Sequence, residues 1–342
     1  MRGTILHSVR VFAISGLPLF IRDMVRAYPE FHHVVVYMQK EKFLGPIEYN
    51  AMEAWRGEYG CEVDGATMIT RQLVREVDPS LHMIHSVSGR WFAGDAPFYW
   101  LGDYPTIFMH HWLTRPTFAV DADVFVSKFV ENQLKDAWPR MKRRSLCPPV
   151  IDTGTYTAIE RHPHMRCAIG KICSNYDVRK YPNLLFSAMR RVGEAAPHTS
   201  FLTTGAEKYF PKGPGIPRFT NVANQTVPVQ QLLRDLDVFV YTNDPTLPET
   251  WCRAVTEAMA AGLPVVGENR GGIAEQITDG VDGFLCTTED EFVDRLTLLA
   301  NDPQLRVDMG MAARKKAVAH FGFDRLRREF DPYVFHALMG VL

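Results

Sequence analysis

The residues best suited to chemistry lie in one stretch of the second half of the chain. Glu249 and Glu257 are eight positions apart, and the helix-forming residues between them predict that Glu249 precedes a helix which contains Glu257. Eight residues are about two helical turns, so the two carboxylates would lie broadly on one side. Gly262 is expected to end this helix in a left-handed conformation, and the apolar residues 263–266 are typical of a short buried strand.

A second glycine-rich turn follows closely. Gly271 and Gly272 are predicted to open another helix. Helix N-termini carry partial positive charge and unpaired N–H groups, so two of them facing one cleft would form an anion site. The stretch 248–275 is therefore predicted to hold an anionic group beside two carboxylates.

Two further groups of residues suited to chemistry follow predicted strands. His110 and His111 come directly after the apolar strand 105–109, and the loop 174–182 follows strand 167–173. Ligands bind beyond the carboxyl ends of parallel strands in doubly wound sheets, so the histidine pair lies where chemistry is expected. A zinc site at the histidine pair is not expected, because adjacent side chains diverge and the sequence offers no third ligand nearby.

Apolar strands alternate with helical patterns along both halves of the chain. Strand 4–11, a turn at Gly16, a helix and strand 33–38 form a βαβ unit, which implies a parallel sheet. The segment 67–77 is predicted to be helical. A proline-rich connection at 147–154 separates the two halves. We therefore predict an α/β protein of two domains, with a doubly wound sheet in the first.

The composition excludes several classes of protein. The chain has 342 residues, a net charge of −1 and a hydrophobic fraction of 46%, which suits a globular protein and gives no overall positive field for nucleic acid. The six cysteines match no zinc or iron–sulfur spacing and are expected to be reduced, which favours the cytosol. The N-terminus resembles a strand rather than a signal peptide, and no apolar run reaches the roughly 20 residues of a membrane helix.

One basic segment leaves two interpretations open. Residues 134–144 include two lysines and three arginines. They are consistent with a solvated helix end near the domain connection, or with contact to an anionic acceptor or a membrane surface.

Four motifs in fixed order carry a resemblance to a known family. They are Glu-x7-Glu at 249–257, Ala-Met-Ala-x-Gly-x-Pro-Val-Val at 258–266, Gly-Gly-x-x-Glu at 271–275 and Asp-Gly-x-x-Gly at 279–283. This series resembles the nucleotide-sugar site of the retaining glycosyltransferases of family 4, which have the GT-B fold. The resemblance implies two Rossmann-like domains facing across a cleft. Residues 1–150 with 323–342 would form the acceptor-side domain and 151–322 the donor-side domain, with a C-terminal helix crossing back to the first.

The resemblance also implies roles for individual residues. Glu249 would hydrogen-bond hydroxyls of the donor sugar, and Glu257 those of the ribose. His111 matches a strand-end histidine that faces the transferred sugar, with His110 as the alternative. His111 and Glu249 are the catalytic candidates.

The diphosphate contacts match the family less completely. Lys180 matches a lysine that grips the donor diphosphate, but Ser174 stands where the family has arginine. Arg179 or Lys171 could take that place, although lysine lacks the bidentate geometry of arginine. Gly16 is the one glycine present of the pair usual in the first turn, and it could equally serve an ordinary strand-to-helix turn.

The loop after Glu249 departs from the family as well. Thr250-Trp251-Cys252 replaces the usual Gly-Phe-Gly, and its backbone would reach the sugar and phosphate. The complete set of donor-binding candidates is Gly16, Arg179, Lys180, Thr250, Trp251, Cys252, Arg253 and Glu257.

Taken together, the resemblance predicts a cytoplasmic, metal-independent, retaining hexosyltransferase, with peripheral contact at the inner face of a membrane as a further option. The donor would be a UDP-sugar, or next a GDP-sugar, and the acceptor a hydroxyl of a glycan or a lipid-linked sugar. No cofactor is expected beside the nucleotide sugar. Two alternatives are a nucleotide-sugar epimerase of GT-B fold and a non-catalytic sugar-nucleotide-binding subunit, the latter favoured by Ser174 and the incomplete glycine pair.

Overall fold

The computed structural model describes residues 3–9, 16–37, 62–63, 66–70, 77–86, 104–113, 120–135, 144–156, 161–173, 177–206, 209, 214–223 and 226–329. The chain divides into two compact units, Met1–Val150 with Phe323–Leu342 and Ile151–Gly322. Ser174, most of the basic segment 134–144 and residues 330–342 lie outside the described residues.

The first unit is built on one sheet with the strand order β3-β4-β2-β1-β5-β6-β7-β8. Its pairs are parallel except for β3 with β4. The strands are β1 Thr4–Val9, β2 His32–Tyr37, β3 Glu62–Val63, β4 Ala66–Thr70, β5 Leu81–Ser86, β6 Thr106–His110, β7 Ala122–Phe125 and β8 Arg144–Leu146, and the helices among them are α1 Gly16–Ala27 and α2 Lys128–Leu134.

The prediction of a helix over 67–77 is wrong for residues 67–70, which the structure describes. Ala66–Thr70 is strand β4, which pairs in parallel with β2. Three of its five residues, Thr67, Ile69 and Thr70, are β-branched and favour a strand, and pairing with the outer side of β2 decides the conformation. Residues 71–76 lie outside the described part of the chain.

The second unit has the strand order β11-β10-β9-β12-β13-β14, and all its pairs are parallel. The strands are β9 Cys167–Lys171, β10 Thr199–Thr204, β11 Phe219–Val222, β12 Val238–Tyr241, β13 Val265–Glu268 and β14 Gly283–Cys286. The helices are α3 Asn183–Ala195, α4 Val229–Arg234, α5 Arg253–Ala260, α6 Ile273–Gln276, α7 Glu289–Asn301 and α8 Pro303–Phe321. The chain reverses its direction of travel across the sheet between β9 and β12, which is where doubly wound sheets bind ligands.

Both faces of this second sheet are buried by helices. Val238 and Val240 belong to the core that includes residues of α3 and α7, whereas Phe239 and Tyr241 belong to the core that includes residues of α5 and α8. The side chains of a strand alternate between faces, so a continuous apolar run such as 238–241 is what a sheet covered on both sides requires.

Local signals set the helix ends around the site. Gly262 has φ +78°, which confirms the left-handed residue predicted after α5. Helix α7 begins with a capping box between Thr288 and Glu291, and α8 begins with Asp302 as N-cap and proline in its first turn. These signals set where α5 ends and where α7 and α8 begin.

The chain returns to the first unit in helix α9, Phe323–Glu329. Leu326 is buried in the first unit's core, and Arg327 Nε donates to the carbonyl oxygen of Ala27 at 2.6 Å. Among the described residues, no helix is long and apolar enough to cross a membrane.

Candidate active site

The centre of the site in the second unit is an ion pair between Lys180 and Glu249. Both side chains are 12% exposed. Glu249 Oε1 also accepts hydrogen bonds from the Tyr241 hydroxyl at 2.9 Å and from Asn243 Nδ2 at 3.0 Å. The structure therefore brings together two residues that are 69 positions apart in sequence and holds the carboxylate with three donors.

Topology explains why these residues meet. Lys180 ends the 3₁₀ turn Val178–Lys180 that follows β9, while Tyr241 is the last residue of β12, and Asn243 follows it. Strands β9 and β12 are neighbours at the position where the strand order reverses. The Lys180–Glu249 pair thus lies beyond the carboxyl ends of the two strands between which a ligand site is expected.

The buried Lys171 holds the backbone and the amide group next to the Lys180–Glu249 pair. Lys171, the last residue of β9, is 0% exposed, and its Nζ donates to the carbonyl oxygens of Lys180 and Thr242 and to Asn243 Oδ1 at 3.3 Å. Burial lowers the pKa of Lys171 to about 7. Because Lys171 binds the oxygen of the Asn243 amide, the nitrogen of that amide is directed to Glu249.

Backbone packing holds the Glu249 loop. Gly272 N donates to the Glu249 carbonyl oxygen at 2.7 Å, and a Cβ at Gly272 would lie 2.1 Å from the Thr250 carbonyl oxygen. At Gly271, which has φ +60°, a Cβ would lie 2.4 Å from the Glu249 carbonyl oxygen. Both glycines are therefore required for close approach of two backbone segments.

The anion site predicted at the start of α6 is not supported by the geometry. Helix α6 is four residues long, so few peptide dipoles add along its axis. The N–H of Gly272 is already bonded to the Glu249 carbonyl oxygen. The glycine pair acts here through packing.

Glu257 lies inside α5, as predicted, and is 7% exposed. Its Oε1 accepts from Arg253 Nε at 2.7 Å and from the Tyr156 hydroxyl at 2.8 Å. Arg253 is the first residue of α5 and pairs with Glu257 across one helical turn. The structure groups Arg253, Glu257 and Tyr156 at the N-terminal part of this helix.

Cys252 is the N-cap residue of α5 and is buried. Its N–H donates to Gln276 Oε1 at 3.1 Å, and its carbonyl oxygen accepts from Gln276 Nε2 at 2.8 Å. Burial raises the pKa of the Cys252 thiol to about 11, so it is protonated at neutral pH. The side chain of Cys252 is structural, and its backbone is held in place by Gln276.

Two predicted donor-binding side chains point elsewhere. Arg179 is half-exposed and donates to both carboxylate oxygens of Asp177, with Nη2 2.6 Å from Oδ2. The Trp251 ring meets the Phe321 ring edge to face, with centroids 5.6 Å apart. Their side chains therefore do not join Lys180 and Glu249 in this structure.

The first unit holds two of the candidates, Gly16 and His111. Gly16 is the first residue of α1. His111 follows β6 and is partly buried, its ring meets that of Phe20 at 4.9 Å, and its Nε2 lies 3.0 Å from His85 Nδ1. Burial and the nearby His110 lower the pKa of His111 to about 3, so the ring is neutral.

The alternative histidine is engaged differently. His110 is fully buried, its Nε2 lies 2.7 Å from Asp123 Oδ1, and its ring stacks on Phe125 at 4.5 Å. Neighbouring strand residues point to opposite faces, so the two histidines cannot bind one ligand atom together. Within the described ranges, no group of three or more histidine, cysteine, aspartate or glutamate side chains is arranged to hold a metal ion.

The sequence reasoning missed several residues of the second unit's site. They are Tyr241, Asn243, Tyr156 and Gln276. Tyr241 and Asn243 could have been found from their place at the end of a predicted strand. The contacts of Tyr156 and Gln276 depend on how loops pack, for which the sequence holds no signal.

Two sheets whose pairs are parallel except for β3 with β4, each with helices packed against it, agree with the predicted GT-B fold, and solved structures confirm that fold. HepE from Anabaena, in a crystal structure in complex with UDP-glucose, is similar with a TM-score of 0.72 and 15% identity, over 99% of this chain and 100% of that one. Sucrose-phosphate synthase from Thermosynechococcus elongatus is similar with a TM-score of 0.72 and 14% identity, over 99% and 100%.

A family model matches part of the second unit. Residues 175–316, which include Lys180, Glu249 and Glu257, match the model described as glycosyl transferases group 1. The predicted resemblance is confirmed at this level, while the assignment to family 4 stays a prediction.

The curated relatives match over different lengths. Spore coat protein SA of Bacillus subtilis (strain 168) is 33% identical over 93 residues, 26% of this chain and 24% of its own length. The chain spans about a fifth to a quarter of the length of the first such relatives. A longer match, 26% identical over 89% of both chains, is the GDP-mannose-dependent alpha-(1-6)-phosphatidylinositol monomannoside mannosyltransferase of Mycolicibacterium smegmatis (strain ATCC 700084 / mc(2)155).

Proposed function

We propose that this protein transfers a hexose from a nucleotide sugar to a hydroxyl acceptor, with retention of anomeric configuration. The observation that carries the proposal is the Lys180–Glu249 pair beyond the carboxyl ends of β9 and β12, inside the segment that matches the group 1 family. The retaining course rests on the resemblance of the motifs alone.

Lys180 is the group that meets the leaving diphosphate in this proposal. Its ammonium is paired with Glu249 in the structure. A bound diphosphate would be a second anionic partner for this ammonium. Stabilisation of the negative charge that develops on the leaving group is the effect that accelerates such a transfer most. The N-terminus of α5, which begins at Arg253, adds partial positive charge.

Glu249 and Glu257 bind hydroxyls in this proposal. Glu249 already accepts from Tyr241 and Asn243, so it is held as an acceptor toward hydroxyls of the donor sugar. Glu257, oriented by Arg253 and the Tyr156 hydroxyl, would accept from the ribose. A carboxylate that is held by neighbouring donors loses little conformational entropy when a hydroxyl binds.

The donor is proposed to be a UDP-sugar first and a GDP-sugar second. HepE was crystallised with UDP-glucose, and the mycobacterial relative is named as GDP-mannose-dependent. The acceptor is proposed to be a glycan or lipid-linked hydroxyl. Cytoplasmic location and peripheral membrane contact stay predictions. Residues 136–143 of the basic segment, on which the membrane contact would depend, lie outside the described part of the chain.

The test is turnover of UDP-glucose and GDP-mannose, followed as release of UDP or GDP with and without a panel of sugar and glycolipid acceptors. The proposal expects acceptor-dependent release that falls about a hundredfold in Lys180→Met, because one stabilising group on the developing charge is lost. Lys315→Met is the matched control, since Lys315 is an exposed lysine of α8.

The same assay separates the alternatives. Conversion of the donor alone into an isomer, detected by proton NMR, would support the epimerase and contradict the transferase. Donor binding without release under any acceptor would support the non-catalytic subunit.

A further inference from the structure

Four histidines of the first unit form a continuous hydrogen-bonded row. Nitrogen–nitrogen distances are 2.9 Å between His33 Nδ1 and His7 Nε2, 3.1 Å between His7 Nδ1 and His85 Nε2, and 3.0 Å between His85 Nδ1 and His111 Nε2. At the far end, His33 Nε2 lies 2.9 Å from the carbonyl oxygen of Tyr28. We call these four residues the histidine row.

Strand order produces this row. His33, His7 and His85 lie on β2, β1 and β5, which are adjacent in the sheet, and His111 follows the next strand, β6. Successive rings meet edge to edge and are nearly coplanar, with centroids 5.2, 5.4 and 5.3 Å apart and interplanar angles of 16°, 24° and 30°. The first three are 0% exposed. The row therefore connects a buried edge of the core with the strand end at which His111 lies.

The carbonyl oxygen at one end fixes the direction of every hydrogen bond. A carbonyl can only accept, so His33 Nε2 carries the proton and His33 Nδ1 accepts from His7 Nε2–H. The same rule then requires His85 to donate from Nε2 to His7, and His111 to donate from Nε2 to His85. Each neutral ring has one protonated nitrogen, which leaves Nδ1 of His111 as the acceptor.

The rings are neutral for a physical reason. Burial lowers the pKa of His7 and His85 well below the ordinary value, and neighbouring rings lower it further. Burial also lowers the pKa of His33, although its contact with the Tyr28 carbonyl acts in the opposite direction. A second proton on one of these rings would leave two N–H groups facing each other.

We propose that His33, His7 and His85 are positioning residues that hold His111 as the Nε2–H tautomer, so that its Nδ1 accepts a hydrogen bond from a substrate hydroxyl. The part of this inference that concerns substrate rests on the proposed function. An acceptor nitrogen favours a neutral sugar hydroxyl and disfavours a phosphate oxygen, which has no proton to donate. Sugar selection at His111 would thus depend on a residue three rings away.

The tautomer is measured directly by two-dimensional NMR of the full chain with ¹⁵N-labelled histidine, with His111→Gln used to assign the ring. The wild type is expected to give a protonated Nε2 and an unprotonated Nδ1 at His111. A protonated Nδ1 at His111 would overturn the proposal, and this result needs no variant that could fail to fold.

The remote variant is His33→Phe, which removes the link to the Tyr28 carbonyl. It is expected to give a mixture of the two His111 tautomers, whereas His32→Gln is expected to leave the tautomer unchanged. His32 is the matched control, because it lies next in β2 but bonds to Thr67 on the other face, at 2.9 Å. A single unchanged tautomer in a folded His33→Phe protein would overturn the proposal.

Turnover adds a readout for the substrate. In His33→Phe we expect kcat to fall about tenfold, the equivalent of one neutral hydrogen bond, with KM for the donor within about twofold. An unchanged kcat in a variant with mixed His111 tautomers would overturn the proposed hydrogen bond from a substrate hydroxyl to His111 Nδ1. If the wild type transfers no sugar, the proposed function fails, and the NMR result still decides the tautomer.

Discussion

The substitution Gly272→Ala is predicted to displace the loop that carries Glu249. Gly272 has φ −68° and ψ −18°, a conformation that alanine adopts freely, so the effect comes from contact alone. The new Cβ would lie 2.1 Å from the Thr250 carbonyl oxygen and 2.6 Å from its carbonyl carbon. These are backbone atoms, which cannot turn away as a flexible side chain does.

The size of the effect follows from these distances. Ordinary van der Waals contact between heavy atoms is about 3.5 Å, so the loop must move by more than about 1 Å. That shift strains the 2.7 Å hydrogen bond from Gly272 N to the Glu249 carbonyl oxygen. Overpacking together with the loss of this bond should lower the free energy of unfolding by about 2–4 kcal/mol.

The control is Gly280→Ala. Gly280 has φ +73°, and a Cβ there would meet nothing within 4 Å, so the substitution introduces backbone strain without crowding. Its expected cost is about 1–2 kcal/mol. The free energy of unfolding is measured by urea titration and the Kd of UDP-glucose by calorimetry. The reasoning is refuted if Gly272→Ala costs no more than Gly280→Ala and binds donor like the wild type.

Three further predictions concern the same unit. Glu249→Gln should lower the free energy of unfolding by about 1–3 kcal/mol in urea, because Lys180 loses its anionic partner in a largely buried place, and unchanged stability would argue against this pair. Lys171 has its pKa lowered by burial to about 7, so the unfolded chain holds its proton to higher pH than the folded one. The free energy of unfolding of the wild type should therefore rise relative to Lys171→Met between pH 7 and 9, by up to about 1.4 kcal/mol per pH unit, and parallel curves would contradict it. Tyr156→Phe removes the 2.8 Å hydrogen bond to Glu257 and should weaken UDP binding severalfold, by about 1 kcal/mol in calorimetry. Equal affinity of this variant and the wild type would contradict the proposed contact between Glu257 and the ribose.

The sequence predicted the scaffold well because local patterns determine it. Alternating apolar strands and helices require a doubly wound sheet, and Gly262 stands where a left-handed residue ends α5. The helix predicted over 67–77 was wrong because the pairing of Ala66–Thr70 with β2 stabilises a strand more than the local pattern favours a helix. Pairing with a distant strand is not encoded in a local window.

The site was predictable only where it lies in motifs. Glu249, Glu257 and Lys180 were found from their spacing, whereas the support from Lys171 and Asn243 depends on β9 lying beside β12. The histidine row was missed for the same reason. Its members come from four chain segments that become neighbours only through strand order.

The most direct test of the central claim is calorimetric titration of UDP-glucose and GDP-mannose into the wild type, Lys180→Met and Lys315→Met. If the Lys180–Glu249 pair marks a nucleotide-sugar site, the wild type binds at least one donor. Lys180→Met should then bind it at least about tenfold more weakly, which corresponds to about 1.4 kcal/mol, and Lys315→Met should bind it like the wild type. Equal affinity in the wild type and Lys180→Met, or no binding of either donor to the wild type, would contradict the claim.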